Sequence, residues 1–205
     1  MWIDTTDAYC RVGISKGEVP LVAHRLTEPH RHMESLAPMV RAILQQLPTP
    51  HALQGVAINR GPGSFMGVRI GIAFIKGFLN TRHLSLKTFT TFDWLQKAAP
   101  PIKPTIWIAH PTARRTYAFG TDEQGRAIIP MNVYSYDQLK EFEQHVRFVG
   151  SAPLPPHIHI EKYQTIFPND ALYAATIQDA PLVMQTQLTP LYIAQFIPSK
   201  RKGNP

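Results

Sequence analysis

An α/β protein in two lobes is what this sequence predicts, and three observations carry the prediction. Two strand patterns joined by a short turn open the chain; strand and helix patterns then alternate; and after a proline-rich break at 99–104 a shorter version of the same order begins. At 205 residues the chain has room for one substantial domain or two small lobes. With 44% hydrophobic and 17% charged residues it can bury a core.

Ala8, Cys10, Val12 and Ile14 alternate with Tyr9, Arg11, Gly13 and Ser15, the period of a half-buried strand. The turn Ser15-Lys16-Gly17-Glu18 leads into a second strand over 19–26, and so short a connection makes the pair antiparallel. Met33, Leu36, Val40, Ile43, Leu44 and Leu47 then form one apolar helical stripe, with Pro38 marking either its start or a kink. A buried strand is expected over 53–58. After the loop Asn59-Arg60-Gly61-Pro62-Gly63-Ser64-Phe65 comes a helix over 66–80 that carries Gly67, Gly71 and Gly77. Each glycine costs a helix about 1 kcal/mol relative to alanine, which implies a close approach by another backbone. A strand at 84–86 and a helix at 90–98 complete residues 1–98, the expected first lobe.

The second lobe, 99–205, restarts with strands at 105–109 and 116–120 and a turn at Asp122-Glu123-Gln124-Gly125. Ser135 and Gln138 predict a capping box for a helix over 136–145. A short strand follows at 146–149, and Asn169 or Asp170 can cap a last helix reaching about 178. The two halves share an order of elements and no strict sequence repeat.

No apolar run approaches the ~18–20 residues that span a bilayer. Asp4 and Asp7 stand where a signal peptide would carry its basic and apolar regions, so the reading is cytoplasmic. The single cysteine, Cys10, excludes an internal disulfide and reads as a small buried side chain. Net charge is +7 with pI near 9.7, which favours a polyanionic partner such as RNA, though Lys200, Arg201 and Lys202 place part of the excess in a terminal tail.

Three segments together resemble the TsaB (YeaZ) family: Trp2-Ile3-Asp4-Thr5-Thr6; His32-Met33-Glu34-Ser35-Leu36-Ala37-Pro38-Met39-Val40; and, the most specific, the run from Asn59-Arg60-Gly61-Pro62-Gly63-Ser64-Phe65-Met66 to Gly67-Val68-Arg69-Ile70-Gly71. The resemblance covers roughly 1–98 and fades beyond, apart from Pro190-Leu191-Tyr192. It implies the actin/Hsp70/sugar-kinase-like (ASKHA, ribonuclease H-like) two-lobed fold. It further implies a non-catalytic partner or scaffold for a TsaD-like threonylcarbamoyl transferase, with a TsaE-like ATPase as a further partner. Transfer RNA, modified next to its anticodon, is then met through the complex. A homodimer in isolation is also expected, and no cofactor of its own.

Asp4, Thr5 and Thr6, with Gly61, Gly63 and Ser64, are the candidate phosphate contacts. In ATP-using relatives an acid and hydroxyls at the first turn hold metal and phosphate, and glycines before a helix can expose amides to an anion. Against this, no Gly-Lys-Ser/Thr follows the loop, so a tight strand-to-helix turn explains it better. The opposite lobe should supply an acidic hairpin; the corresponding run from Ile108 through His110 to Tyr117 has no carboxylate.

His30 with His32, and His157 with His159, are spaced to share a strand face, but no supporting acids accompany them, so no metal is assigned. There is no HExxH and no GxSxG, so no hydrolase arrangement is expected. What remains is surface. The resemblance implies that the helices following Pro38 and Met66 join this chain to a TsaD-like protein, so Val40, Arg41, Leu44, Gly67, Ile70, Gly71, Phe74, Ile75 and Phe78 form the candidate partner interface, with Arg41 and Lys76 at its rim and the glycines supplying close approach. On that expectation Gly71→Leu weakens complex formation. Two other readings stay open: an active ATPase or small-molecule kinase of the same superfamily, and a basic tRNA-binding module.

Overall fold

The computed structural model describes residues 1–49 and 52–193; the basic tail at 200–202 lies outside the described residues. The strands are β1 (Trp2–Asp4), β2 (Arg11–Lys16), β3 (Val19–Arg25), β4 (Gly55–Asn59), β5 (Ser85–Phe89), β6 (Thr105–Ala109), β7 (Arg115–Thr121), β8 (Ala127–Ser135), β9 (Arg147–Gly150) and β10 (Tyr163–Thr165). The helices are α1 (His32–Leu44), α2 (Phe65–Leu79), α3 (Thr91–Ala98), α4 (Tyr136–Lys140) and α5 (Asp170–Asp179).

Two five-stranded sheets, ordered β3-β2-β1-β4-β5 and β10-β9-β6-β7-β8, organise the lobes. In each, three strands form an antiparallel meander and two more add in parallel. The second sheet therefore repeats the plan of the first, as the order of elements predicts. It is the reduced copy: helix α4 is short, and between β9 and β10 a loop stands where α2 stands in the first lobe.

Alternation along each strand assigns its two faces. Ile3, Val12, Ile14 and Ile58 point to the core under α1 and α2. Trp2, Ala57 and Phe89 point the other way, into a core shared with α3, α5 and the second sheet, where Trp107, Ala109 and Val149 meet them. The far face of that sheet carries Ile106, Ile108 and Phe148 against α4. The lobes are thus bonded by a continuous apolar layer as well as by the chain at 99–104.

Several boundaries differ from the sequence reading, each for a local reason. The strand expected from residue 8 begins at Arg11, because Asp4 and Asp7 each fold the backbone into a turn: Oδ1 of Asp4 accepts the Thr6 N–H (2.8 Å) and Oδ1 of Asp7 the Tyr9 N–H (2.6 Å). Helix α1 starts at His32 and runs through Pro38, which sits on its exposed side. Ser135 and Gln138 form the capping box that starts α4, yet the helix stops at Lys140 and gives way to i→i−3 turns. Strands β8 and β10 were not read from the sequence. Pro130 and two register shifts mask β8, and β10 is only three residues long. After β10 the chain does not stay with the second lobe. Helix α5, capped by Asn169, packs on α3, β3 and β5, and Val183 pairs its N–H with the Leu86 carbonyl (2.9 Å).

Candidate functional site

Strand β1 ends at Asp4, whose side chain is 1% exposed at the base of the cleft between the lobes. Its Oδ1 accepts the Thr6 N–H (2.8 Å) and the Thr6 hydroxyl (2.7 Å). Its Oδ2 accepts the Asn59 side-chain amide (3.0 Å) and the Tyr173 hydroxyl (2.7 Å). Four donors thus fill the acceptor positions of this buried carboxylate. Burial, and then the Asp4 charge, push the Tyr173 phenol well above its usual range, so it keeps its proton and remains a donor. The Tyr173 ring is itself fixed, stacked on Trp2 at 4.4 Å.

The glycine loop after β4 is also committed internally. Asn59 Oδ1 accepts the Gly61 N–H (3.0 Å), and the Ser64 N–H is given to the Thr6 carbonyl (2.6 Å). Thr91 donates its N–H to the Gly61 carbonyl (3.0 Å) and its hydroxyl to the Pro62 carbonyl (2.8 Å). The Ser64 hydroxyl caps α2 by accepting the Gly67 N–H (3.3 Å). Gly63 lies directly on the Thr6 backbone, where a β-carbon would overlap the carbonyl oxygen. Thr5 is wholly buried. The structure thus uses Asp4, Thr6, Gly61 and Ser64 to tie the first turn to the α2 start, and buries Thr5 and Gly63 beneath it. Of the six candidate phosphate contacts, Asp4, Thr6 and Ser64 line the cleft.

The opposite wall is the β6–β7 hairpin. His110, in a left-handed conformation (φ 51°), gives its N–H to the Ser151 hydroxyl (3.1 Å) and lines the cleft with Pro111. Burial lowers the His110 pKa, and Asp7 across the cleft opposes the shift. Asp7 itself is paired with Arg11 at 2.6 Å. The remaining cleft, about 310 Å3, is lined by Trp94, Pro153 and Phe167 together with Asp7, Arg11, Arg25 and His30.

The histidine pairs do not share strands. His30 is in a turn at φ 62°, His32 is the buried first residue of α1, and His157 and His159 lie exposed in the loop between β9 and β10. Among the described residues no group of three or more His, Cys, Asp and Glu side chains could hold a metal.

On the outer side of the first lobe α1 and α2 lie together. Four positions of the expected interface are buried within the lobe. Val40 is 2% exposed and Ile75 fully buried, both in the core under the helices. Gly67 and Gly71 are buried against Thr5, where added β-carbons would meet its carbonyl oxygen and its hydroxyl. The close approach that their sequence spacing signals is real, but it is to the turn that follows β1 of the same lobe. Arg41 is exposed, and Leu44, Ile70, Phe74 and Phe78 are half-buried, so these five can reach a second surface. Sequence reasoning missed Asn59 and Thr91 as organisers of the cleft, and it missed Tyr173, which reaches Asp4 from 169 positions away.

The family model described as TsaD, tRNA N6-adenosine threonylcarbamoyltransferase, matches residues 14–108. The tRNA threonylcarbamoyladenosine biosynthesis protein TsaB of Escherichia coli K12 is 40% identical over 77 residues, which are 37% of this chain and 32% of that protein. The match therefore spans about a third of that relative's length. Two solved structures from Pseudomonas aeruginosa share the fold. YeaZ superposes with a TM-score of 0.68 at 19% identity, covering 93% of this chain and 97% of its own. A protein described as similar to peptidase YeaZ gives 0.67 at 20% identity, covering 94% and 98%. No described helix is long and apolar enough to cross a membrane. In sequence over part of the first lobe and in fold over nearly its whole length, the chain resembles the TsaB/YeaZ family, and these matches support its assignment there.

Proposed function

We propose that this protein acts in threonylcarbamoyladenosine modification of tRNA without catalysing a step, as the partner that a TsaD-like transferase binds through the outer face of α1 and α2. The likeness to TsaB supports the pathway, and the state of Asp4 supports the absence of catalysis. An acid that is to hold a metal-bound triphosphate must keep lone pairs facing the cleft. In this chain Thr6, Asn59 and Tyr173 occupy both oxygens of Asp4. The facing hairpin offers His110 in place of a second carboxylate. A TsaE-like ATPase and tRNA join through the transferase on this reading.

Two measurements test it. Calorimetry of the isolated protein with Mg-ATP is expected to give no micromolar binding and no turnover; both together would identify an active superfamily enzyme instead. Co-purification with the same organism's TsaD-like protein is expected to yield a stable complex, and failure to associate would remove the partner role.

A further inference from the structure

The cleft between the lobes has used up its acidic acceptors and kept its donors. Asp4 and Asp7 are the two carboxylates that line it. Asp4 holds four donors, and Asp7 accepts the Tyr9 N–H on Oδ1 (2.6 Å) and Arg11 on Oδ2 (2.6 Å). Arg25 also lines the cleft. Its guanidinium lies over the Tyr9 ring at 4.7 Å and has no carboxylate partner among the described residues. The hydrogen bonds that His30 and His110 donate among the described residues run through their backbone N–H groups, which leaves both imidazoles able to give an N–H. The Ser151 hydroxyl accepts from His110 and keeps its own proton to donate.

Two further observations fall on the same cleft. Among the described residues three other than glycine have left-handed backbone, and two of them, His30 and His110, stand on opposite walls of it. Such conformations are uncommon outside glycine and gather where ligands are held. Trp94, which is 3% exposed, lines the cleft, and its indole N–H has no acceptor among the described residues. A buried donor without a partner is rare in a folded chain. The Trp94 and Phe167 rings give the cleft aromatic surface, and its volume of about 310 Å3 lies at the small end of ligand pockets.

We propose that the cleft binds a small aromatic carboxylate, with its ring against Trp94 and Phe167 and its acid taken by Arg25 and the two histidines. Each part follows from what is left unused. Donors without free carboxylates select an anion over a cation, and a guanidinium holds a planar carboxylate through two N–H groups. A metal-bound phosphate is disfavoured because Asp4 and Asp7 have no oxygen to give the metal. Aromatic walls favour a ring over a bare inorganic anion. Binding of this kind does not depend on the transferase-partner role.

The test is a fluorine NMR titration of the full chain with 4-fluorobenzoate, 4-fluorobenzyl alcohol and 4-fluorobenzylamine. The benzoate is expected to bind with a Kd of about 1 mM or below, at least about tenfold more tightly than the alcohol or the amine. Arg25→Gln, at an exposed position, should weaken it about tenfold. His30→Gly and His110→Gly each remove an imidazole where glycine takes the backbone without steric cost. Both should fold, as thermal unfolding checks, and each should lose about threefold in affinity or more. Absence of benzoate binding, equal binding of the amine, or wild-type affinity in all three variants overturns the proposal. Displacement of the benzoate by equimolar inorganic phosphate or by Mg-ATP also overturns it, because the cleft would then be a phosphate site.

Discussion

Replacing each α2 glycine by alanine separates two roles that glycines in a helix can have. At Gly77 nothing lies within 4 Å of a new β-carbon, so the variant gains only the helix propensity of alanine, about 1 kcal/mol of added stability. At Gly67 the same gain is opposed by overlap with the carbonyl oxygen of Thr5. That oxygen cannot retreat cheaply. The Thr5–Thr6 turn is pinned by the Asp4 carboxylate on one side and by the Ser64 N–H on the other. Overpacking against such a backbone costs about 3 kcal/mol, the upper end of the usual range. Propensity is common to both variants, so it cancels, and Gly67→Ala should be about 3 kcal/mol less stable than Gly77→Ala. Gly71→Ala should fall between them, because its β-carbon meets the Thr5 hydroxyl, a side-chain group, and Ile58 at 3.3 Å. Urea unfolding of the three variants measures the differences. If Gly67→Ala and Gly71→Ala unfolded with Gly77→Ala and lost only affinity for a partner, the glycines would belong to an intermolecular contact and the internal assignment would be wrong.

Tyr173→Phe removes one of four donors from the buried Asp4 carboxylate and should destabilise the chain by about 2 kcal/mol, read from the same urea unfolding. Lys87→Met deletes the ammonium that ties β5 to the Ile177 and Gln178 carbonyls at the end of α5, and should lower stability by about 1–2 kcal/mol. Burial depresses the pKa of both His32 and His110 below the ordinary 6.5. The unfolded chain therefore binds more protons than the folded one once pH drops through 6.5, so this part of the stability is complete above that value and is lost toward acid. Melting temperature should fall between pH 7 and 5, and His110→Asn should flatten the slope; an unchanged slope would show that other groups carry it.

The α/β order, the antiparallel opening and most helices were legible in the sequence because each rests on a local cause. Apolar periodicity places β4 and α2, side-chain capping places α4 and α5, and Gly61-Pro62-Gly63 marks a tight turn. The missing acid on the β6–β7 hairpin could likewise be read directly, since absence of a residue type needs no coordinates. Direction was not legible. The spacing of Gly67 and Gly71 announces a close neighbour, but only the fold shows it to be Thr5 of the same lobe. Periodicity could not tell buried Val40 and Ile75 from half-exposed Leu44 and Phe74, because one apolar helix surface turns partly to the core and partly outward. Nor could any local pattern connect Asp4 to Tyr173. That bond forms because α5 leaves the second sheet and returns across the first, a path set by the apolar layer the two sheets share. The sequence by itself determines which segments are strands and helices and which acids are absent; tertiary packing decides which side of each helix is left to meet another molecule, and which carboxylate has already been used up inside.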